Sequence, residues 1–521
     1  MMTIMVALIV TTIYMKDTYK SAFMYIGVYT GDGLSNLEPI IQYKHSILDE
    51  HSFPIYTELW FGGWNQWKNP LSSILYLPAT LLYLLFPLNT ATKIIFFIHI
   101  VVSIVAGWWI AKQFINEWVI QFLIGILFTS PMVAMIFAGH FEKIFSWPWV
   151  LIGLGILFSD DKNMIRKGIL AGVCLGVIPL TGSNYYTFYA IILFLLIVSS
   201  YQSKKLWASF LLGSCIGLLH IPFISGLIGI NNRGMARSSI LNYKVDFPTL
   251  FKSLFWGNRQ LVVVNDWEAY SLIGLPFAIL LLFAVYQIAA HIWNRQETEN
   301  LNQILAIIIS GIIFVSIATG LIYKGHHLLD TFRVPSRVTP FIGLVIILLV
   351  LITYKNLSVQ TGLEPYIRKG IQILIILSAL QVIWFSWLLR PTGSDIWINN
   401  KGIIDLTTYL NDQHATAVWL NFNHSTDSII PVALMNTGIG VINTYYGDMG
   451  QRIKISGNHC GYSFDYLLTV ATDPIEDYVL IPVRWGRGPG SQPVDAGKLK
   501  YLKSFLLFDK QWQVYAVQCN P

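Results

Sequence analysis

Long apolar stretches separated by short polar segments occupy the first 390 residues of the chain. These stretches contain few or no charged residues, and a helix needs roughly 17 to 25 residues of this kind to cross a bilayer. Although several are short, the pattern predicts about 11 transmembrane helices. They cover residues 1–15, 94–111, 119–138, 144–159, 168–182, 185–200, 206–228, 271–293, 302–323, 338–354 and 370–389.

Two apolar segments differ from an ordinary span. Residues 1–15 form a short stretch without the basic start or the small-residue cleavage site of a signal peptide, so we expect them to remain as the first span. Residues 69–87 contain Pro70, Pro78 and Pro87, each of which lacks an amide donor and disfavours a continuous helix. We expect this second segment to lie in the membrane interface or to re-enter the membrane without crossing it.

Basic residues gather in one set of short loops between the predicted spans, which indicates the orientation of the chain. Lysine and arginine close to a span resist translocation, so these loops are predicted to be cytoplasmic. The set consists of Lys162, Arg166, Lys167, Lys204, Lys205, Lys355, Arg368 and Lys369. The protein is then expected in a plasma or inner membrane, with its N-terminus on the cytoplasmic side and its C-terminal part on the outer side. Four polar segments share the outer face: residues 16–93 (the first outer loop), 139–143, 229–270 and 323–337.

From about residue 391 onward the pattern changes to short mixed segments, none of them long enough to span a membrane. Stretches rich in β-branched and aromatic residues predict strands at residues 415–422, 439–445, 477–483 and 512–518, and residues 402–412 favour a helix. We therefore predict a small extracytoplasmic α/β or α+β domain at residues 391–521. Cys460 and Cys519 fall in it, and either a disulfide or two free thiols is compatible with the sequence.

The composition agrees with a membrane protein and excludes two other classes. Hydrophobic residues make up 54% of the 521 residues and charged residues only 12%, whereas roughly a quarter is usual for soluble proteins. The formal net charge of +6 is spread without a basic patch, which argues against a nucleic-acid partner. The fold class predicted is an α-helical polytopic membrane module at residues 1–390, followed by the outer domain.

The first outer loop supplies the first candidate site residues. Asp32 lies between Gly31 and Gly33, which allow a tight turn that brings the carboxylate close to the membrane surface. An aromatic segment that includes Trp64 follows in the same loop, and it suits either stacking on a sugar or anchoring at the headgroup level. A solvated turn aspartate is the alternative for Asp32.

His140 and Glu142 lie where the chain turns back into the membrane. Ionisable residues at membrane depth are costly unless they face a cavity or a partner. His140 is a candidate proton relay, and Asp32 and Glu142 are candidate ligands for a divalent cation such as Mg²⁺ or Mn²⁺. An ordinary polar turn between two helices is the alternative.

Residues 323–337 form the densest polar cluster between two spans, and its cations suit a phosphate or pyrophosphate group. Binding of lipid headgroups is the alternative. Arg233 and Arg237 of the long outer loop are candidates for holding polar parts of a substrate, and Tyr185 is a candidate cavity-lining residue. The candidates within the cluster are Lys324, His326, His327, Arg333 and Arg337.

Taken in order along residues 1–390, these features resemble the GT-C superfamily of polytopic membrane glycosyltransferases. The resemblance rests on Gly31-Asp32-Gly33, on the Pro-rich segment beginning Asn69-Pro70-Leu71, and on the many spans before an outer domain. Two shorter motifs, Ala138-Gly139-His140 and Phe332-Arg333-Val334-Pro335-Ser336-Arg337, are similar to motifs in YfhO-like bacterial membrane proteins.

The resemblance implies transfer of a sugar, with inversion, from a polyprenyl-phosphate donor to a glycan, lipid or protein acceptor on the outer face. Asp32 occupies the position of the superfamily's catalytic base or metal ligand. Lys324, Arg333 or Arg337 would stabilise the leaving phosphate. His140 or Glu142 would complete a cation site or orient the acceptor.

A protein that binds or transports a lipid or polysaccharide without chemistry is the second interpretation, and a structural subunit of a membrane complex is a third. A transporter places ionisable residues near the bilayer midplane in several spans. This chain keeps nearly all of them at the predicted outer boundary, which favours the enzyme.

Overall fold

The computed structural model describes most of the predicted membrane module and part of the C-terminal region. The described residues are 2–19, 23–24, 37–53, 56–57, 64–65, 72–138, 140–221, 244–257, 271–293, 301–322, 335–356, 364–388, 393–394, 401–415, 417–421, 430, 434, 437, 439–441, 466–470, 499–507 and 510–517.

Helices of nine or more residues make up most of this described chain. They are α1 (Met2–Tyr14), α2 (Glu38–Leu48), α3 (Leu77–Leu85), α4 (Leu88–Lys112), α5 (Trp118–Ala138), α6 (Phe141–Phe158), α7 (Met164–Leu180), α8 (Asn184–Ser200), α9 (Lys204–Ser214), α10 (Leu275–Trp293), α11 (Leu301–Ala318), α12 (Thr339–Lys355), α13 (Glu364–Leu388) and α14 (Lys401–Asp412). Shorter helical segments cover Lys16–Tyr19, Cys215–His220, Phe247–Phe251, Lys252–Trp256 and Pro335–Val338.

Each of the predicted apolar stretches overlaps one of these helices, namely α1 and α4 to α13. Five helical segments of the described chain are long and apolar enough to cross a membrane: Leu88–Lys112, Phe141–Phe158, Leu301–Ala318, Pro335–Lys355 and Pro365–Leu388. The described part of the chain is therefore mostly helical and contains five candidate spans, whereas the number of about 11 crossings stays a prediction. So does the orientation of the termini.

The Pro-rich segment at residues 69–87 contains only one helix among its described residues, α3. Nine residues at 1.5 Å each extend for roughly 14 Å, which is less than half of the hydrocarbon core. Alone, α3 cannot cross a bilayer.

The chain divides into two compact units. The first consists of Met1–Lys16, Ile95–His220 and Ala236–Arg390, and the second of Asp17–Ile94, Ile221–Met235 and Pro391–Pro521.

In the first unit, α12 is the central helix. Every residue from Thr339 to Tyr354 is buried, as expected for a helix that is apolar on all sides. Phe341, near its start, is the centre of an aromatic cluster. Its ring centroid lies 5.6 Å from that of Trp147 in α6, 5.2 Å from Tyr186 in α8 and 5.6 Å from Phe314 in α11. These edge contacts join four helices at one level.

The described residues of the second unit contain nine strands. They are β1 (Phe23–Met24), β2 (Tyr56–Thr57), β3 (Trp64–Asn65), β4 (Gly393–Ser394), β5 (Ala417–Asn421), β6 (Gly440–Val441), β7 (Tyr466–Val470), β8 (Leu499–Leu507) and β9 (Lys510–Val517). β1 pairs with β4, and β2 pairs with β3, in both cases antiparallel.

The other five strands form one sheet in the order β6-β5-β7-β9-β8, with β5 parallel to β6 and β7 and with antiparallel pairs from β7 to β9 and from β9 to β8. The predicted helix at residues 402–412 and the predicted strands at 415–422, 439–445 and 512–518 overlap α14, β5, β6 and β9. The strand predicted at residues 477–483 lies outside the described residues. The placement of this region outside the membrane stays a prediction.

Candidate functional site

The turn between α5 and α6 forms one wall of the candidate site. His140 is the N-cap residue of α6, and Glu142 lies in the first helical turn, where the helix dipole favours a carboxylate. The Nδ1 atom of His140 lies 3.3 Å from Oε1 of Glu142. Both side chains are nearly enclosed, with exposed fractions of 7% and 12%. His140 and Glu142 therefore form a buried polar pair at this turn.

The turn between α7 and α8 forms the second wall. The Thr181 hydroxyl shares its hydrogen between the backbone carbonyls of Ile178, at 2.7 Å, and Glu142, at 3.2 Å, and the second contact joins the end of α7 to the start of α6. Gly182 follows with φ of +80°, a conformation that glycine adopts without strain and that reverses the chain. α8 then begins at Asn184, so that Tyr185 lies in its first turn.

Arg337 contributes the third wall, from the short helical segment that precedes α12. Its guanidinium carbon lies 4.6 Å from the centre of the Tyr185 ring, which is a cation–π contact. The Glu142 carboxylate is attracted by Arg337, by His140 and by the buried Lys143. Three turns that are far apart in sequence therefore meet around Glu142.

Two buried polar atoms of this region have no hydrogen-bond partner within the part of the chain that the structure describes. Oε1 of Glu142 faces His140, whereas Oε2 is buried and has no hydrogen-bond partner among the described residues. The hydroxyl of Ser183, in the α7–α8 turn, is in the same condition. Leaving a buried polar atom unpaired costs about 1–3 kcal/mol, so a ligand that pairs with either atom gains affinity. A hydroxyl-rich ligand such as a sugar matches both atoms, because hydroxyls both donate and accept.

The aromatic cluster is adjacent to these residues along the chain. Tyr186 follows Tyr185, and Phe341 comes four residues after Arg337. Because the cluster is buried and its rings pack edge to face, it gives the neighbouring polar side chains a rigid base.

The structure brings together four of the sequence-predicted site residues: His140, Glu142, Tyr185 and Arg337. Sequence reasoning assigned no role to Thr181, Ser183 or Lys143. Lys143 lies beside Glu142 in the short polar turn between two apolar stretches, and this position was the sequence signal for a buried charge cluster. Trp64 is described only as a backbone position in β3, paired with Thr57. The candidates outside the described residues are Asp32, Arg233, Arg237, Lys324, His326, His327 and Arg333.

The described residues of this part of the site form no complete ligand set for a divalent cation, and Glu142 as a metal ligand stays a prediction. Within the described portion of the chain, no three His, Cys, Asp or Glu side chains gather as metal ligands. Lys143 and Arg337 already compensate the charge of Glu142, and a second cation beside them would be repelled. No chemical step is therefore derived through Mg²⁺ or Mn²⁺, and Asp32 as a metal ligand stays a prediction.

No protein-family model and no curated protein sequence matches this chain. Two solved structures share its architecture. The oligosaccharyltransferase of Archaeoglobus fulgidus, solved with a tethered acceptor peptide that contains the NVT sequon, aligns with a TM-score of 0.50 and 11% identity over 90% of this chain and 68% of its own. The mycobacterial arabinofuranosyltransferase AftD aligns with a TM-score of 0.52 and 13% identity, over 99% of this chain and 41% of its own.

Identities this low show the fold alone, and the closer resemblance to YfhO-like proteins stays a prediction. Both neighbours have the GT-C fold of membrane glycosyltransferases. This chain is an integral membrane protein with that fold.

Proposed function

We propose that the protein is a membrane glycosyltransferase that moves a sugar from a polyprenyl-phosphate donor to an acceptor on the outer face, with inversion. The observation that carries the proposal is the alignment of nearly the whole chain with AftD, a glycosyltransferase of the same fold. Membrane lipids surround the protein, and the acceptor is a glycan, a lipid or a protein. The acceptor peptide in the archaeal neighbour supports this last class in general.

The proposed chemistry is a direct displacement at the anomeric carbon. A carboxylate base takes the proton of the acceptor hydroxyl while the oxygen attacks opposite the lipid phosphate, which leaves with the bonding electron pair. Asp32 is the base, by its position in the first outer loop. Negative charge that develops on the departing phosphate is stabilised by Arg337, together with Arg333 and Lys324 of the same outer segment.

The described residues have distinct parts in this scheme. Tyr185 holds the Arg337 guanidinium by its ring, and the nearby negative charge of Glu142 attracts it, which lowers the reorganisation needed when a phosphate arrives. His140 fixes one oxygen of Glu142 and leaves the other to accept a hydrogen bond from a sugar hydroxyl. The remaining candidates, Arg233, Arg237, His326, His327 and Trp64, are proposed to contact the donor or the acceptor.

The test is transfer by the purified protein in nanodiscs, supplied with a mixture of polyprenyl-phosphate sugars and candidate acceptors. Release of polyprenyl phosphate together with a glycosylated product, identified by mass spectrometry, supports the enzyme. The anomeric configuration of the product, read by NMR, tests inversion. A donor that binds but is never consumed would make the protein a binding or transport protein, or a structural subunit.

Replacement of Arg337 tests whether this arginine takes part in transfer, in contrast to an arginine elsewhere in the protein. Arg337→Gln should lower kcat/KM roughly 10- to 100-fold, because the departing phosphate loses a charged donor. Arg368→Gln is the matched control, since the Arg368 guanidinium also lies over a tyrosine ring, at 5.0 Å from that of Tyr354. Equal losses in the two variants, measured as initial rates against donor concentration, would remove Arg337 from the mechanism.

Replacement of Glu142 tests the centre of the cluster. Glu142→Gln keeps the shape but removes the charge that attracts His140, Lys143 and Arg337, so the electrostatic balance of the cluster changes. We expect kcat to fall about tenfold, with the folded protein retained in size-exclusion chromatography. Glu117→Gln, at the exposed start of α5, is the control. Unchanged turnover in Glu142→Gln would mean that the carboxylate serves only the packing of the turn.

A further inference from the structure

A second site lies away from the polar cluster, in a cavity of about 250 Å³ between α1, α4, α5 and α13. Its walls are almost entirely apolar and include Ile100, Ile104 and Val133. All four helices belong to the first unit where they line the cavity. Ile13 and Ile383 also line it and are 50% and 40% exposed, so the cavity opens between α1 and α13 toward the surrounding membrane.

Five hydroxyl-bearing residues lie in this mostly apolar wall: Thr11, Tyr14, Thr129, Ser130 and Ser386. Three of their hydroxyl oxygens, those of Thr11 and Tyr14 of α1 and of Ser130 of α5, are buried and have no hydrogen-bond partner among the described residues. The side chains of Thr11 and Ser130 are 0% and 2% exposed. Buried polar groups in proteins nearly always have a partner, and those that lack one call for an occupant that supplies it.

The open end of the cavity has the features of a lipid headgroup level. Tyr14 is the last residue of α1, and Trp387, which also lines the cavity, lies next to the last residue of α13. The exposed Lys16 places its ammonium 4.5 Å from the centre of the Trp387 ring. Tryptophan and tyrosine favour the membrane–water interface, and lysine at this level attracts anionic lipid.

We propose that this cavity binds one anionic glycerophospholipid, with an acyl chain along the apolar wall, its ester carbonyls accepting from the buried hydroxyls, and its phosphate beside Lys16. Ester carbonyls lie at the start of the acyl chains, and each oxygen accepts up to two hydrogen bonds. The isoprenoid chain of a polyprenyl phosphate has no such acceptor and would leave the three hydroxyls unpaired. The site is therefore a lipid site separate from the proposed donor site, and it does not depend on the proposed function.

The test is native mass spectrometry of the full chain in detergent, after delipidation and titration with phosphatidylglycerol, and in parallel with a polyprenyl phosphate. The wild type is expected to retain one phosphatidylglycerol. Tyr14→Phe, which removes one donor without changing shape, should weaken binding about fivefold. Val133→Trp, which fills the cavity, should abolish it. The matched controls are Tyr286→Phe and Leu282→Trp on the exposed face of α10, and both should bind as the wild type does.

Three outcomes overturn the proposal: no retained phospholipid in the wild type, binding by Tyr14→Phe equal to that of Tyr286→Phe, or preferential retention of the polyprenyl phosphate. If Val133→Trp fails to fold, the comparison of Tyr14→Phe with Tyr286→Phe still tests the proposal. Replacing phosphatidylglycerol by phosphatidylcholine tests Lys16. Weaker binding of phosphatidylcholine by the wild type, with the difference lost in Lys16→Gln, supports the contact with an anionic headgroup, and equal affinities contradict it.

Discussion

Asp32→Asn is expected to lower the rate of sugar transfer by a factor of roughly 10²–10⁴ while leaving donor affinity almost unchanged. Asparagine has the same shape as aspartate, but it cannot accept the proton of an acceptor hydroxyl. The base acts only as the acceptor oxygen attacks, so its loss should appear in kcat and in single-turnover rates, and not in ground-state binding. The two flanking glycines keep the same backbone freedom in the variant.

The matched control for Asp32→Asn is Asp49→Asn, in the same outer loop. The Asp49 side chain is 65% exposed and pairs with His45 at 2.6 Å. An exposed pair of this kind contributes at most about 1 kcal/mol, so transfer should stay within a factor of two of the wild type. If Asp32→Asn retains half or more of the activity, the base is another group, and the argument from the first outer loop fails even if the protein is a transferase.

The sequence predicts on which side of the membrane some residues of the candidate site lie, but it does not predict which side chains are in contact. Counting spans predicted Glu142 and Arg337 on the same outer face, whereas Tyr185 was predicted only to line a cavity. The contact between Arg337 and Tyr185 could not be predicted in this way. The 4.6 Å approach of Arg337 to Tyr185 depends on how α8 and α12 pack around Phe341, and no local pattern specifies that packing.

In the second unit, the sequence pattern predicted some strands and missed others. β5 and β9 have the mixed, turn-bounded pattern that predicts a strand, but β7 and β8 were not predicted. β7 is a five-residue apolar run, which periodicity alone cannot tell from a piece of helix. In β8 the register shifts between Tyr501 and Lys503, and an irregularity of this kind breaks the alternation of polar and apolar positions.

In the helical module, the spacing of glycines indicates close helix packing, which hydropathy does not show. Within the described residues of the stretch predicted at 206–228, the α-helix ends at Ser214 and a tighter helical segment, Cys215–His220, follows. Glycines recur every four residues along the facing helix α7, at Gly168, Gly172 and Gly176, and they allow the two backbones to approach closely.

Gly172→Leu is therefore expected to have the largest effect on stability of any single change considered. A Cβ atom at this position would lie 2.1 Å from the carbonyl oxygen of Phe210 and 2.9 Å from the amide nitrogen of Ser214, both of them backbone atoms that cannot rotate away. α7 and α9 would have to separate, with a loss of roughly 3 kcal/mol or more in the free energy of unfolding. Fluorescence-detected size-exclusion chromatography after heating should show a small, aggregation-prone population.

Gly370→Leu on α13 is the control for this change, since nothing lies within 4 Å of a Cβ at that position. Both substitutions replace a helical glycine, so the gain in helix propensity is the same and only the steric term differs. Because Thr181 at the end of α7 donates to the Glu142 carbonyl, any folded Gly172→Leu protein should also lose activity. Equal thermal stability of the two variants would mean that α7 and α9 do not pack as closely as the glycine pattern indicates.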